Sequence, residues 1–386
     1  MTRALPLLAL STLFLSACAG STPPAPPQSE SWITSEEISG ILTAAMAGKQ
    51  VPGMAAAVAH AEGPVLAGAV GVRILGKPEA ITPGDRFHIG SVTKPMTATV
   101  IATLVEEGKL RWDTTVAEAL PECGPTMRPE YREVTIAHLL SHEGGLPAFG
   151  EEEEFVSVPK TEGSPTAKRL AFSCHALAQP PAAKPKEEFL YSNAGFAVAG
   201  TIAEKVTGTS WEELLKARVF APLGLSTAGF GWPAQGGAPQ PWGHWEEKGP
   251  FAPHDPDGEY KIFPIIAPAG DVHLSMPDLA RFLRAHLRAL HGDDRLLNPG
   301  TARLMQTRRI RGGLGWGVQK VLDLDPVSVY QGSGGTFITV VAIAQEADVV
   351  VAVSANAATE AADAAAREAL KQLLSRYARN AAPKDR

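Results

Sequence analysis

Phe87-His88-Ile89-Gly90-Ser91-Val92-Thr93-Lys94-Pro95 leads into the strongest helical pattern of this chain. Residues Thr93 to Glu107 carry an amphipathic helical pattern closed by Gly108. Ser91 and Lys94 are three apart, so a helical start puts them on one face. A serine hydroxyl is a weak nucleophile until a neighbouring base takes its proton. A lysine is such a base when burial or nearby cations lower its pKa. A helix N-terminus also turns backbone N–H groups toward developing negative charge. The spacing alone is cheap: Ser157-Val158-Pro159-Lys160 repeats it in an acidic stretch where Pro159 opposes a regular helix.

Three other segments give the first copy its context. Leu190-Tyr191-Ser192-Asn193 holds a phenol able to shuttle a proton and an amide able to orient Lys94 or a substrate. Gln331-Gly332-Ser333-Gly334-Gly335-Thr336 opens a predicted strand whose backbone can approach a ligand closely, since glycine has no side chain in the way. The third is Leu139-Leu140-Ser141-His142-Glu143-Gly144-Gly145-Leu146-Pro147.

Strand patterns lie at both ends of the chain. Val51 to Ala59 and Val65 to Val72 pair near the start; Gly315 to Val321, Val327 to Gln331, Phe337 to Ala344 and Val349 to Ser354 follow one another near the end, with short turns that favour antiparallel connection. Thr359 to Tyr377 has helical spacing and a sheet to pack on. Between them, Ile136 to Ser141, Ala194 to Thr207, Trp211 to Phe220 and Met276 to Leu290 read as helices. Gly144 to Glu188, with its acidic run, reads as a long connection. So does Gly231 to Phe263, whose Trp232, Trp242 and Trp245 either cover a substrate pocket or pin the loop to the body.

Taken together, these segments resemble the serine β-lactamase superfamily in its class C, penicillin-binding and esterase branch. The likeness runs from about Ile38 to Leu374 and includes Pro268-Ala269-Gly270, the Asp278–Phe282 helix and Gly315-Trp316-Gly317. It implies an acyl-enzyme nucleophile at Ser91, a general-base partner at Lys94, and a second catalytic motif at Tyr191 and Asn193. Ser333 and Gly334 match the end of the third motif, and the oxyanion hole is implied at the N–H groups of Ser91 and Gly335. One position departs. The family carries Lys or His where this chain has Gly332. That cation helps bind a substrate carboxylate, so its absence weighs against penicillin-like and D-Ala-D-Ala substrates. The fold implied is α/β (α+β), β-lactamase/transpeptidase-like. A mainly antiparallel sheet is flanked by helices, an all-helical region is inserted in it, and the site lies in the cleft between. The expected domain covers 32–380, its α/β part from about 32–92 and 293–380 and its helical part about 93–292.

The remainder of the sequence bounds partners and place. Net charge is -6 with no basic stripe, which argues against nucleic acid as a partner. Arg3 and the apolar run Ala4 to Leu15, too short to span a bilayer, read as a signal peptide ending at residue 18. Leu15-Ser16-Ala17-Cys18 looks like a lipobox with Cys18 lipidated; the alternative is simple cleavage. Residues 19–31 are a Ser/Pro-rich linker, and Ala19 leans the anchor toward the outer membrane, on the periplasmic face. Cys123 and Cys174 either pair in an oxidising compartment or remain separate thiols. His138 and His142 are four apart, but nothing completes a metal site around them, so a structural role is favoured. No metal or organic cofactor is expected. The leading function is hydrolysis of esters or small amides, including cell-wall-derived ones; the alternatives are a β-lactamase or D-Ala-D-Ala carboxypeptidase, and a non-catalytic envelope binding protein.

Overall fold

The computed structural model describes residues 34–246, 251–258 and 264–378. Cys18, the leader around it and the linker 19–31 lie outside the described residues. Six strands form the main sheet: β1 (Gly53–Ala59), β2 (Leu66–Gly71), β3 (Gly317–Val321), β4 (Leu324–Ser333), β5 (Ile338–Ala344) and β6 (Val349–Ala355). Their order is β2-β1-β6-β5-β4-β3, antiparallel throughout. The two chain ends meet at the β1–β6 ladder, where Met54 faces Ala355.

Strands β1, β5 and β6 are buried along their whole length, so both sheet faces must be covered. Side chains alternate between the faces. Ala55, Ala57, Val341, Ile343, Val350 and Ala352 join the large core together with the helix Met276–Leu290. Helices Ser35–Met46 and Glu360–Tyr377 pack on each other and against the sheet. Ser275 and Thr359 cap two of these helices, accepting from the backbone N–H groups of Asp278 and Ala362. Among the described residues no helix is long and apolar enough to cross a membrane.

Three sequence expectations change. The helix Thr93–Glu106 is buried on nearly every side, not amphipathic; its short polar residues Thr97 and Thr99 bond inward to carbonyls. The connection 144–188 contains the helix Pro165–Ala178, capped by Ser164, and this helix carries Cys174. Cys174 is disulfide-bonded to Cys123, with the two Cα atoms 4.8 Å apart. The region 93–292 is not all-helical: its short strands Gly229–Phe230 and Val272–Ser275 pair, and Arg86–His88 joins the other edge of Val272–Ser275. This small sheet carries the chain into the segment 90–94.

Candidate active site

Ser91 lies in a single 3-10 turn, Gly90–Val92, that runs directly into the helix Thr93–Glu106. The turn presses against the end of β4. Gly90 has φ +49°, and a Cβ there would stand 2.5 Å from the Ser333 backbone. A Cβ on Gly332 would stand 2.0 Å from the carbonyl oxygen of Ile89. Both glycines are therefore required by a backbone-to-backbone contact.

Lys94 is fully buried on the first helical turn. Its Nζ lies 2.9 Å from Ser91 Oγ, 2.8 Å from Asn193 Oδ1 and 2.8 Å from the carbonyl oxygen of Ala269. None of these partners is a carboxylate. Burial pushes the Lys94 pKa well below its ordinary value, because a charge without a counter-charge is costly to desolvate. A neutral amine has two hydrogens and one lone pair. With Asn193 and Ala269 accepting the hydrogens, the lone pair is left for the Ser91 hydroxyl. The Asn193 amide is itself fixed, since its Nδ2 donates to the carbonyl of Phe149 at 2.9 Å. Ser192 supports it from the N-cap of helix Asn193–Thr207, accepting from Gly195 N–H and donating to Pro147 O.

Tyr191 Oη donates to Ser91 Oγ at 2.6 Å. The residue as a whole is 37% exposed, yet its hydroxyl is enclosed by protein, and that local enclosure governs its acidity: burial raises its pKa to about 12. The phenol is thus protonated at neutral pH. Lys94 Nζ also lies 4.7 Å from the Tyr191 ring centroid. Ser91, Lys94, Tyr191 and Asn193 are therefore brought together. Such a group can activate a hydroxyl, attack a carbonyl carbon and return a proton to a leaving group.

The glycine-rich segment closes the other side. Gly335 N–H donates to Ser333 Oγ at 3.0 Å, so an incoming oxygen would have to displace that hydroxyl. Beneath it, a Cβ on Gly334 would meet His88 Nδ1 at 2.8 Å. Beside Tyr191 opens a cavity of about 400 Å³, bordered also by His142, Tyr330, Trp316 and Arg311. The second Ser-x-x-Lys copy makes no such site: Ser157 and Lys160 are exposed and lie outside any regular helix.

Other residues take structural places. Trp232 is buried, its ring 4.4 Å from the His88 ring and 6.0 Å from Phe337, and it pins its loop to the core. The gap between Trp232 and Trp242 holds only about 10 Å³, so these two do not frame a substrate pocket. His138 Nδ1 accepts from the Thr135 N–H that opens its helix. Among the described residues no three His, Cys, Asp or Glu side chains are grouped to hold a metal. The sequence reading missed the roles of the Ala269 and Phe149 carbonyls, since a backbone oxygen leaves no signature in residue type.

The Beta-lactamase family matches residues 38–375 of this chain. Penicillin-binding protein 4 of Amycolatopsis lactamdurans is 33% identical over 303 residues, covering 74% of this chain and 76% of that protein. Among solved structures, the octameric penicillin-binding protein homologue from Pyrococcus abyssi matches with TM-score 0.71 and 27% identity, over 88% of this chain and 77% of the other. A D-stereospecific amidohydrolase from Streptomyces sp. matches with TM-score 0.64 and 25% identity, over 84% and 94% of the two chains.

Proposed function

Because this chain belongs to the Beta-lactamase family and is a serine hydrolase of that family, we propose that it hydrolyses esters or small amides through an acyl-enzyme on Ser91. One observation carries the reading: the buried Lys94 amine, without any carboxylate partner, lies 2.9 Å from Ser91 Oγ. In the first step the Ser91 O–H proton passes to the Lys94 lone pair while Oγ bonds to the substrate carbonyl carbon. The N–H groups of Ser91 and Gly335 hold the oxygen that becomes negative. The bond to the leaving group then breaks, and Tyr191 hands it a proton that Lys94 replaces. In the second step water loses a proton to the same relay, attacks the acyl carbon, and Ser91 recovers its hydrogen as the acid departs.

The substrate class follows from Gly332. A site without a cation at that position has no reason to select a carboxylate beside the scissile bond. This favours small neutral acyl groups, fitting the apolar part of the cavity beside Tyr191. A second reading, a β-lactam or D-Ala-D-Ala peptide, draws on Arg311. Its guanidinium borders the same cavity, lies 5.7 Å from the Phe189 ring centroid and forms no ion pair among the described residues. The two readings separate on a panel of 4-nitrophenyl and alkyl esters, amino-acid amides and penicillin G. Turnover of neutral esters or amides with penicillin untouched supports the first; acylation or turnover of penicillin G with inert esters overturns it.

We also propose an exported, lipid-anchored protein on the periplasmic face. The supports are the Arg3–Leu15 leader, the lipobox at Cys18, the linker after it and the Cys123–Cys174 disulfide, a bond that persists in oxidising compartments. Globomycin treatment of expressing cells checks the anchor: accumulation of an unprocessed, larger form is expected, and unchanged processing contradicts it.

A further inference from the structure

Tyr191 shares its cavity wall with a second phenol, Tyr330. The chain of contacts begins at His142. Its Nδ1 lies 3.1 Å from the Ser192 backbone nitrogen, and a backbone N–H only donates, so Nδ1 accepts. The ring is buried, and that burial lowers its pKa to about 3. It is therefore neutral, with its one hydrogen on Nε2. Nε2 lies 3.3 Å from Tyr330 Oη. The Tyr330 oxygen accepts there, and its own hydrogen is free to turn toward the Tyr191 hydroxyl on the wall of the same cavity. Tyr191 in turn donates to Ser91 Oγ. One backbone N–H thus orients the sequence His142, Tyr330, Tyr191, Ser91.

Two further features mark this as a built arrangement. His142 sits at φ +60°, in the left-handed region that a non-glycine residue adopts at a cost. Its ring is held 4.5 Å from the Tyr191 ring. Tyr330 is two residues before Gly332 on β4, so both belong to the same sheet face. Where Gly332 admits no side chain, Tyr330 reaches the phenol from one step back on that face.

We propose that Tyr330 and His142 are positioning residues that hold Tyr191 for proton delivery to the leaving group, Tyr330 supplying a neutral donor in place of a cation at position 332. The inference rests on the acyl-enzyme reading above. When Tyr191 gives up its proton, the negative charge on Oη is stabilised by the Tyr330 O–H until Lys94 returns a proton. Removing the Tyr330 hydroxyl makes that step harder. The penalty grows with the basicity of the leaving group, since a basic alkoxide must be protonated to depart and a nitrophenolate need not be.

The test compares ethyl butyrate with 4-nitrophenyl butyrate in the wild type, Ser91→Ala and Tyr330→Phe. Loss of turnover in Ser91→Ala checks the underlying acyl-enzyme reading and is independent of Tyr330. In Tyr330→Phe, kcat for the ethyl ester is expected to fall about tenfold, with KM nearly constant and a clearly smaller loss on the nitrophenyl ester. His142→Asn, whose side chain tolerates the left-handed backbone but is too short to reach Tyr330, is expected to reproduce the same leaving-group dependence. Equal losses on both esters, or none, in either folded variant would overturn the proposal.

Discussion

A methyl group added to Gly332 would stand 2.6 Å from the backbone nitrogen of Ser91. The departure from the family pattern is thus a packing requirement of this chain. Restoring the family residue by Gly332→Lys should not restore carboxylate recognition. It should drive β4 away from the 90–92 turn and misplace the oxyanion donors. We expect kcat/KM on any ester to drop by about 100-fold, a lower melting temperature, and no gain of penicillin turnover. Steady-state kinetics and thermal denaturation check this; a gain in penicillin acylation would contradict it.

The Lys94 amine must be neutral to take the Ser91 proton. Burial disfavours its charged form, so its folded pKa lies well below the ordinary 10.5. Activity should therefore rise with pH as Nζ loses its proton and level off well below pH 10.5. Lys94→Arg keeps a cation but cannot deprotonate. A loss of at least about 10³-fold in kcat is expected, with no recovery at alkaline pH.

Asn193→Asp tests the same electrostatics in the opposite direction. Asn193 Oδ1 lies 2.8 Å from Lys94 Nζ. A carboxylate there favours the ammonium form and raises the Lys94 pKa. The acid limb of the pH–rate profile should move to higher pH. Activity lost at neutral pH should return partly at pH 10; an unmoved limb would contradict the assignment.

The fold was largely legible because its signals are local. Short apolar runs bounded by turns at both chain ends give the six strands, and Met276–Leu290 has the bounds its pattern suggests. The helix Pro165–Ala178 was hidden by the Pro159 and acidic stretch before it and by its own Lys, Arg, Ser and His content. In the site, Ser91, Lys94, Tyr191 and Asn193 carry their chemistry in their side chains and their spacing. Ala269 contributes only a carbonyl, and the link from His142 through Tyr330 to Tyr191 depends on strand register and one ring tautomer. A residue pattern encodes neither.

The Cys123–Cys174 bond ties the turn Pro121–Cys123 to the helix Pro165–Ala178, and neither element supplies a side chain to the site around Ser91. Closing a loop of this length in the unfolded chain stabilises the folded state by about 4 kcal/mol at most. A Cys123→Ala, Cys174→Ala double variant should melt several degrees lower and keep near wild-type kcat at 25 °C. Differential scanning calorimetry with a parallel ester assay checks both halves.

Every step above requires that Ser91, and not Ser157, be the residue acylated. Incubation with a fluorophosphonate followed by intact-mass and peptide mass spectrometry tests this. One adduct per chain is expected, on the peptide containing Ser91, lost in Ser91→Ala and retained in Ser157→Ala. Labelling that persists in Ser91→Ala, or an adduct mapped to Ser157, would contradict it.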